Sequence, residues 1–300
     1  MTLPPRWEER ALALVEQASH LAGEFFRSVE LAYGHPDDVI SGEGTHACTD
    51  GRQVHVVSKT SMLPLVRSFE WQAVEAGLEE RPALIRHRDD RGRNWLHICC
   101  ASALDGRSPK PSIRTADVLL GHGIDLHDHA FTEGRWRATP VWFCIAFGRN
   151  LALAEHLMKL GASPQYSLYA AAYNRDADAI RLLVRYGADI EEPSGPGQTP
   201  LMGAVGWSHF EAAEAMLRCG ANVNAQDDRG MTAAHMMLKK NSDYEHFALL
   251  ARHKARFDLP DKQGITAADI MSRKRDPRFH QLVAATRRAA IKVKPAAARA

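Results

Sequence analysis

The sequence predicts an all-α solenoid of helix-turn-helix units with hairpin-like loops, preceded by a mainly helical N-terminal cap. Two internal similarities carry this prediction. "GADIE" at Gly187 recurs as "GANVN" at Gly220, and "GQTPLMGAV" at Gly197 recurs as "GMTAAHMML" at Gly230, so each pair is separated by 33 residues. Self-similarity with a period of about 20 to 50 residues indicates stacked repeats, because one such unit cannot bury its hydrophobic face alone.

Each unit is predicted to contain two short helices. In the first, "TPLMGAVGW", Thr199 can cap the first turn, and Pro200 stands at the first helical position, where a missing N–H costs nothing. The second, "FEAAEAMLRC", places Phe210 and Met216 on one apolar face. It ends at Gly220, a glycine able to adopt the left-handed conformation that stops a helix.

These features resemble the ankyrin repeat, whose unit runs D-x-x-G-x-T-P-L-H-x-A-A, a second helix, and then G-A-D-V-N-A. The resemblance covers about residues 60–286 in about six units, is strongest at 187–240 and is weakest at both ends. An insert at 101–114 lengthens one helix–helix turn, and the loop at 163–166 is cut to "SPQY". Degenerate terminal units are expected, since they cap an otherwise open hydrophobic stack.

The repeat pattern divides the chain into three predicted regions. Residues 1–59 do not fit it, and their helical periodicity and a predicted hairpin around Asp50 favour an N-terminal cap, with a separate functional module as the alternative. Residues 60–286 form the predicted ankyrin repeat domain. Residues 287–300 are small and basic, which predicts a disordered tail.

Composition favours a soluble protein of a cytosol-like compartment. The net charge of +2 gives no general argument for nucleic acid as a partner. The five cysteines are odd in number and lack CxxC spacing, which indicates reduced, buried thiols rather than a disulfide framework. No apolar run approaches the roughly 18 residues that a membrane span needs, and the N-terminus is not a convincing secretory signal. We therefore expect a cytoplasmic monomer without a membrane partner.

Three histidines and two aspartates crowd into the eight residues from His122 to His129. Imidazoles and carboxylates are ligands of divalent cations. When this segment is aligned with the other repeats, however, His127 takes a position where asparagine is usual. His122 lies on the helix side of Gly123, the glycine that is predicted to end the helix. We expect no metal site. Whether these three side chains bind a cation or respond to pH stays open at this stage.

Two further histidines, His97 and His235, occupy the histidine of the T-P-L-H pattern. The resemblance implies that this side chain hydrogen-bonds to the backbone between neighbouring units. Other units carry Trp142, Tyr169 and Met202 at the same position, which no metal site or proton relay would tolerate. We therefore expect His97 and His235 to be structural.

The sequence offers no catalytic motif. It contains no GxSxG, HExxH, P-loop or CxxC pattern, and the glycine-rich "SGPGQTP" lacks the lysine of a phosphate-binding loop. Cys99 and Cys100 take the Ala-Ala positions of a first helix, where packing favours small residues. We predict a protein that is not an enzyme and has no cofactor. An enzymatic or regulatory module within residues 1–60 is the remaining alternative.

The resemblance implies a non-catalytic scaffold that binds a partner protein through its concave face, lined by hairpin tips and by the exposed ends of the first helices. Tyrosine, tryptophan and arginine are the side chains enriched at binding hot spots. The residues mapped to this face are Arg91, Arg93, Arg135, Trp136, Phe147, Tyr173, Asn174, Gln198, Trp207, Arg229, Met231, Lys239 and Lys240.

The C-terminal segment supplies a second possible function. From Arg273 onward, nine lysines and arginines stand against a single acid, Asp276. Such a segment could contact nucleic acid or an acidic surface. Because no interleaved aromatics or groove-reading motif accompany it, we rank nucleic acid below a protein partner, whose identity the sequence does not reveal.

Overall fold

The computed structural model describes residues 57–133, 136–193, 197–237 and 243–292. The predicted cap therefore lies outside the described residues, apart from its last three positions. The described residues divide into two compact units, with the division after Ser167. The described parts of these units, 57–167 and 168–292, are called the N-terminal and C-terminal units below.

The N-terminal unit contains three helix pairs and one short hairpin. The pairs are α1 (Lys59–Ser68) with α2 (Trp71–Glu80), α3 (Trp95–Ala101) with α4 (Lys110–Gly121), and α5 (Pro140–Phe143) with α6 (Leu151–Lys159). A 3-10 turn, Pro82–Arg86, follows α2, and a π-helical turn, Cys144–Gly148, continues α5. The antiparallel strands β1 (Thr132–Glu133) and β2 (Trp136–Arg137) form the hairpin, with Thr132 paired to Arg137.

The C-terminal unit contains four helix pairs. They are α7 (Leu168–Tyr173) with α8 (Ala177–Arg185), α9 (Pro200–Gly206) with α10 (Phe210–Arg218), α11 (Ala233–Met237) with α12 (Tyr244–Arg252), and α13 (Ala267–Met271) with α14 (Pro277–Lys292). Within this unit α9 packs against both α7 and α11, as a middle repeat should. The described residues thus hold seven pairs where the sequence predicted about six repeats.

Helix α14 extends into the segment predicted as the C-terminal tail. Its backbone is helical to Lys292, five residues beyond residue 287, where that tail was predicted to begin. Phe279 and Val283 are buried on this helix, and these two anchors at i and i+4 hold its first turns against the preceding repeat. Residues 293–300 lie outside the described residues.

In three of the described repeats the D-x-x-G element closes a loop through one carboxylate. Oδ1 of Asp227 accepts hydrogen bonds from the backbone N–H groups of Arg229 and Met231, both at 2.9 Å. Gly230 has a φ of +78°, in the left-handed region that favours glycine. Asp89 and Asp261 close their loops with the same pair of bonds. The aspartate and the glycine of the pattern are therefore both required by the turn.

The predicted helix starts are confirmed. The Thr199 hydroxyl accepts a hydrogen bond from the backbone N–H of Met202 at 3.3 Å, and Pro200 is the first residue of α9. Thr139 caps α5 in the same way, with Pro140 at its first position. The cap satisfies one of the N–H groups that a helix start leaves without a partner.

The histidines of the T-P-L-H position are structural, as the resemblance implied. Nδ1 of His97 accepts from the backbone N–H of Asn94 at 3.2 Å, and Nε2 lies 3.3 Å from the carbonyl oxygen of Asp128 in the following repeat. His235 repeats this arrangement with Thr232 and Ile265. With Nδ1 accepting, Nε2 carries the proton and donates, so each ring is neutral when both bonds form.

A tyrosine performs the same task where the histidine is replaced. Tyr169 stands at this position in α7, and its hydroxyl donates to the carbonyl oxygen of Gln198 in the next repeat. The inter-repeat hydrogen bond therefore survives the change of side chain. More than one residue type can therefore make this bond, whereas Met202 at the same position of α9 has no side-chain donor.

One repeat contains an extra residue. Gly161 follows Thr139 by 22 residues, whereas Gly220 follows Thr199 by 21. The additional residue is absorbed by the π-helical turn Cys144–Gly148, since such a turn holds one residue more than an α-turn. Gly148 closes this turn against α3, where a Cβ atom on it would lie 2.1 Å from the carbonyl oxygen of Cys100.

We predict that Gly148→Ala destabilises the protein by about 2 kcal/mol or more, because the added methyl meets backbone rather than a movable side chain. Gly121→Ala is the matched control, since nothing lies within 4 Å of a Cβ atom built on Gly121. The control should change stability by less than about 1 kcal/mol. Urea unfolding monitored by circular dichroism measures both, and equal midpoints would contradict the close approach.

We predict that stability falls below pH 6.5 through His97. Burial lowers the pKa of His97 from 6.5 to about 4, and burial also lowers the pKa of His235. As the pH falls, the unfolded chain therefore takes up the proton before the folded chain does. The contribution of His97 to the free energy of unfolding is fully present above pH 6.5 and decreases as the pH falls toward 4. The expected slope is at most about 1.4 kcal/mol per pH unit for each histidine.

Urea midpoints measured between pH 7.5 and 4.5 test this, with NMR titration of the imidazole protons as a second measurement. His97→Asn should flatten the pH dependence even where it lowers stability at every pH. A His97 ring that titrates near 6.5 in the folded protein would refute the prediction.

Candidate functional site

The structure places the predicted partner-binding residues in both units. Arg91, Arg93 and Phe147 belong to the N-terminal unit, while the C-terminal unit holds Tyr173, Asn174, Gln198, Trp207, Arg229 and Met231. Arg135, Lys239 and Lys240 lie outside the described residues, and only the backbone of Trp136, in β2, is described.

Two of these residues are buried, and the prediction for them is wrong. Met231 and Gln198 are each 5% exposed. Met231 donates its backbone N–H to Asp227, which draws the residue into the closed loop of its repeat. Gln198 presents its carbonyl oxygen to the hydroxyl of Tyr169. Both residues support the loops of the repeats and are inaccessible to a partner.

Two predicted arginines are committed to neighbouring aspartates. Nε of Arg93 lies 2.7 Å from Oδ2 of Asp89, and the side chain of Arg93 is 12% exposed. Nη2 of Arg229 lies 2.8 Å from Oδ2 of Asp227, whose side chain is fully buried. These guanidinium groups neutralise the carboxylates that close the D-x-x-G loops. Arg93 and Arg229 therefore act first by stabilising the D-x-x-G loops of their own repeats.

Phe147 belongs to an aromatic cluster within the N-terminal unit. Its ring makes an edge contact with Trp142, with centroids 5.4 Å apart at 82°, and a tilted contact with Phe143 at 5.9 Å. Trp142 and Phe143 are buried, whereas Phe147 is half-buried. Phe147 therefore packs against its neighbours within the unit and keeps only part of its surface accessible.

In the C-terminal unit, α7 and α9 bring together a half-exposed aromatic group. Tyr173 ends α7, Trp207 follows α9, and their ring centroids are 5.4 Å apart with planes at 87°. Asn174 and His209 lie beside them and are also half-exposed. We call these four residues the α7–α9 patch. It contains three aromatic rings in mutual contact, all from one unit of the structure.

The backbone of α9 makes room for this patch at Gly203. A Cβ atom on Gly203 would lie 3.0 Å from Cε1 of Tyr169 and 3.3 Å from the indole of Trp207. The rings of Tyr169 and Trp207 meet edge to face at 6.4 Å and 81°. A glycine at this helical position therefore lets the tyrosine and the indole settle against the helix.

Sequence reasoning missed His209 and Arg175, which frame the patch. Nδ1 of His209 lies 3.0 Å from the carbonyl oxygen of Ala172, so this ring joins the start of α10 to the end of α7. Arg175 is exposed in the turn after α7, with a left-handed φ of +58°. The signal that could have found them is that both lie in the turn that follows a first helix, α7 for Arg175 and α9 for His209.

The thiols of Cys99 and Cys100 are buried in α3. Burial raises the pKa of the Cys99 and Cys100 thiols, and Cys100 also hydrogen-bonds to Cys144, so these sulfurs stay protonated. A protonated, buried thiol is neither a nucleophile nor a metal ligand. The same thiols lie in the repeat core, as their Ala-Ala positions suggested.

The histidine-rich loop does not form a metal cluster in the part of the chain that the structure describes. No group of three or more His, Cys, Asp or Glu side chains there is arranged to hold a cation. The carboxylate of Asp128 is instead used by Arg88 and by the amide of Asn94, which donates at 2.8 Å. His127 and His129 are exposed, while His122 ends α4.

The basic C-terminal segment is partly neutralised within its own helix pair. Nη2 of Arg278 lies 2.8 Å from Oδ2 of Asp276, and its guanidinium sits 4.6 Å from the ring centroid of Tyr244. Hydrogen bonds from Arg278 lower the pKa of Asp276. The side chains of Arg287, Arg288 and Lys292 lie outside the described set.

None of the described helices is both long enough and apolar enough to cross a membrane.

Comparison with known proteins agrees with this architecture. A family model described as "Ankyrin repeats (3 copies)" matches residues 141–227. The chain is 34% identical to human Inversin over 105 residues, and 34% identical to mouse Rabankyrin-5 over 86 residues. These matches cover 35% and 25% of this chain but only 10% and 7% of the two relatives. The chain thus corresponds to a small part of each relative.

The fold comparison extends beyond the segment that matches by sequence. The crystal structure of the human ASB11 ankyrin repeat domain superposes with a TM-score of 0.59 at 17% identity. The superposition covers 75% of this chain and 96% of that domain. Residues 141–227 thus match the ankyrin repeat family by sequence, and 75% of the chain superposes on the fold of an ankyrin repeat domain.

Proposed function

We propose that this protein acts as a non-catalytic scaffold that binds a partner protein through the α7–α9 patch. Ankyrin repeats are generally protein–protein interaction modules, which supports the class of function. The observation that carries the proposal is the contact between Tyr173 and Trp207, two half-exposed rings held at a fixed angle on one surface. Large aromatics that remain accessible on a folded chain are typical of a binding site.

The patch is held in place before any partner arrives. His209 fixes the turn before α10 to the end of α7, and Gly203 seats the indole of Trp207 against α9. Rings that are already ordered lose little conformational entropy on binding. A tyrosine and a tryptophan also combine large apolar area with a polar group, so they suit an interface that is partly wet.

The patch is smaller than the surface predicted from the repeat pattern. Arg91 and Phe147 remain proposed contacts of the N-terminal unit, and Arg135, Trp136, Lys239 and Lys240 remain proposed contacts outside the described side chains. Gln198 and Met231 leave the set because they are buried. A monomer in the cytoplasm fits the reduced, buried thiols and is part of the same proposal.

The alternatives receive less support. An acidic surface or nucleic acid would need free cations in the C-terminal segment, and there Arg278 is engaged by Asp276 and stacked on Tyr244. An enzymatic or regulatory module within residues 1–60 would lie almost entirely outside the described residues. Neither alternative has an observation comparable to the Tyr173–Trp207 contact, so the partner-binding proposal stands first.

We predict that Trp207→Ala weakens partner binding by about 2 kcal/mol, near thirtyfold in Kd, because a central aromatic of this size dominates an interface. Peptides selected from a displayed random library on the immobilised full chain serve as the probe. Their Kd values for wild type and variant are measured by biolayer interferometry.

Tyr173→Ala should weaken the same peptides, and it serves as a second variant in case the loss of Trp207 disturbs α9. The matched control is Tyr244→Ala, a half-buried tyrosine that packs under Arg278 in another repeat. Thermal melts confirm that each variant is folded. Peptides that bind Tyr173→Ala and Trp207→Ala as tightly as wild type would disprove the patch as the binding site.

A further inference from the structure

We propose that the partner segment that docks on the α7–α9 patch presents an acidic side chain beside an aromatic or aliphatic one, and that Arg175 receives the carboxylate. This inference rests on the proposed function and adds the chemistry of the partner. It depends on the position of Arg175, on its lack of a partner within the described structure, and on the charges around it.

Arg175 lies at the edge of the patch. Its backbone N–H donates to the carbonyl oxygen of Ala172 at 3.1 Å, and Nδ1 of His209 lies 3.0 Å from the same oxygen. The rings of Tyr173 and Trp207 lie 6.2 Å and 5.9 Å from the ring of His209. The Arg175 side chain therefore leaves the backbone next to the rings that would bind the apolar part of a partner.

The guanidinium of Arg175 is exposed, and no described side chain pairs with it. The two nearest acids in sequence are already used. Oδ1 of Asp176 caps α8 by accepting from the backbone N–H of Ala179 at 2.8 Å, and Asp178 lies 2.5 Å from the guanidinium of Arg181. A cation that local acids leave free, at the edge of an aromatic surface, is complementary to an anionic group on the partner.

The backbone at Arg175 makes this choice of residue notable. Its φ of +58° lies in the left-handed region, where a residue with a Cβ atom is less stable than glycine. A glycine would satisfy the turn at lower cost. The corresponding turns carry Arg149 after α5 and Ser208 after α9, with φ of +46° and +63°. An exposed arginine whose side chain pairs with no described side chain is consistent with a role outside the fold.

The chemistry favours a carboxylate over a phosphate chain. A guanidinium binds a single carboxylate through two parallel hydrogen bonds, while the adjacent rings accept an aromatic or aliphatic side chain. Nucleic acid could also stack on the rings and contact Arg175 through phosphate. However, Glu211 in the first turn of α10 is exposed and would repel a continuous polyanion. A protein segment with one or two acids avoids that repulsion.

Peptides selected from a random displayed library on the full chain test the inference. Enriched peptides should carry Asp or Glu within about three positions of an aromatic or aliphatic residue, a spacing that a carboxylate and a ring need to reach Arg175 and the patch together. Arg175→Gln should weaken them about tenfold, since a charge-assisted bidentate contact is lost. Arg175→Lys should recover only part of the affinity, because an ammonium group cannot form the paired hydrogen bonds.

Arg185→Gln is the matched control. Arg185 is exposed at the far end of α8, in the same repeat, and its removal should leave Kd within about twofold of wild type. Replacing the peptide acid by Gln should abolish the difference between wild type and Arg175→Gln. That loss of coupling shows that the two groups meet, which a merely structural role of Arg175 would not produce.

The possible failures are distinguishable. If Trp207→Ala weakens the peptides but Arg175→Gln does not, the binding site stands and the acidic partner is overturned. If neither change matters, the proposed function fails as well. A library that yields no acidic enrichment overturns the inference. So does a fluorescent single-stranded oligonucleotide that binds in an Arg175-dependent manner while no peptide is selected.

Discussion

One buried hydrogen bond recurs between neighbouring repeats at three places in the described chain. In an array whose units contact only their neighbours, stability is a sum of unit and interface terms, so such a bond adds to the stability of each interface that it crosses. His97 and His235 provide it with a neutral imidazole, and Tyr169 provides it with a hydroxyl. Each donor also fixes the loop that it reaches, because a buried carbonyl left without a partner is costly.

The hydrogen bond between repeats also fixes the arrangement of the rings in the α7–α9 patch. Tyr169 reaches the next loop through the interior, and the rest of its ring then supports the indole of Trp207. His209 binds the turn of one repeat to the helix end of the previous one. The contacts that join repeats thus orient the rings that reach the surface. The contacts between repeats already position the exposed residues of the patch, so the patch needs no further structural element to hold it in place.

Sequence predicted the elements whose chemistry is local. The D-x-x-G turn, the Thr199 cap and the bridging histidines follow from residue type and period, because each is satisfied within a few residues or at the next repeat. Sequence reasoning failed where packing determines whether a side chain faces the solvent or the interior. Gln198 and Met231 lie in loops that resemble accessible fingers, and only packing shows that they face inward. Likewise, the extra residue before Gly161 is countable from the sequence, but its location as a π-turn depends on the contact of Gly148 with α3.

The arginines show most clearly what separates fold from recognition in this chain. Arg229 is held by a carboxylate that is fully buried, and removing it would leave that charge without its partner in the interior. Arg175 is exposed and holds no carboxylate of the described chain. The two residues are indistinguishable by type and by their place in a loop or turn. Loss of Arg229 therefore acts first on the folded state, whereas loss of Arg175 removes an exposed charge that no described side chain neutralises.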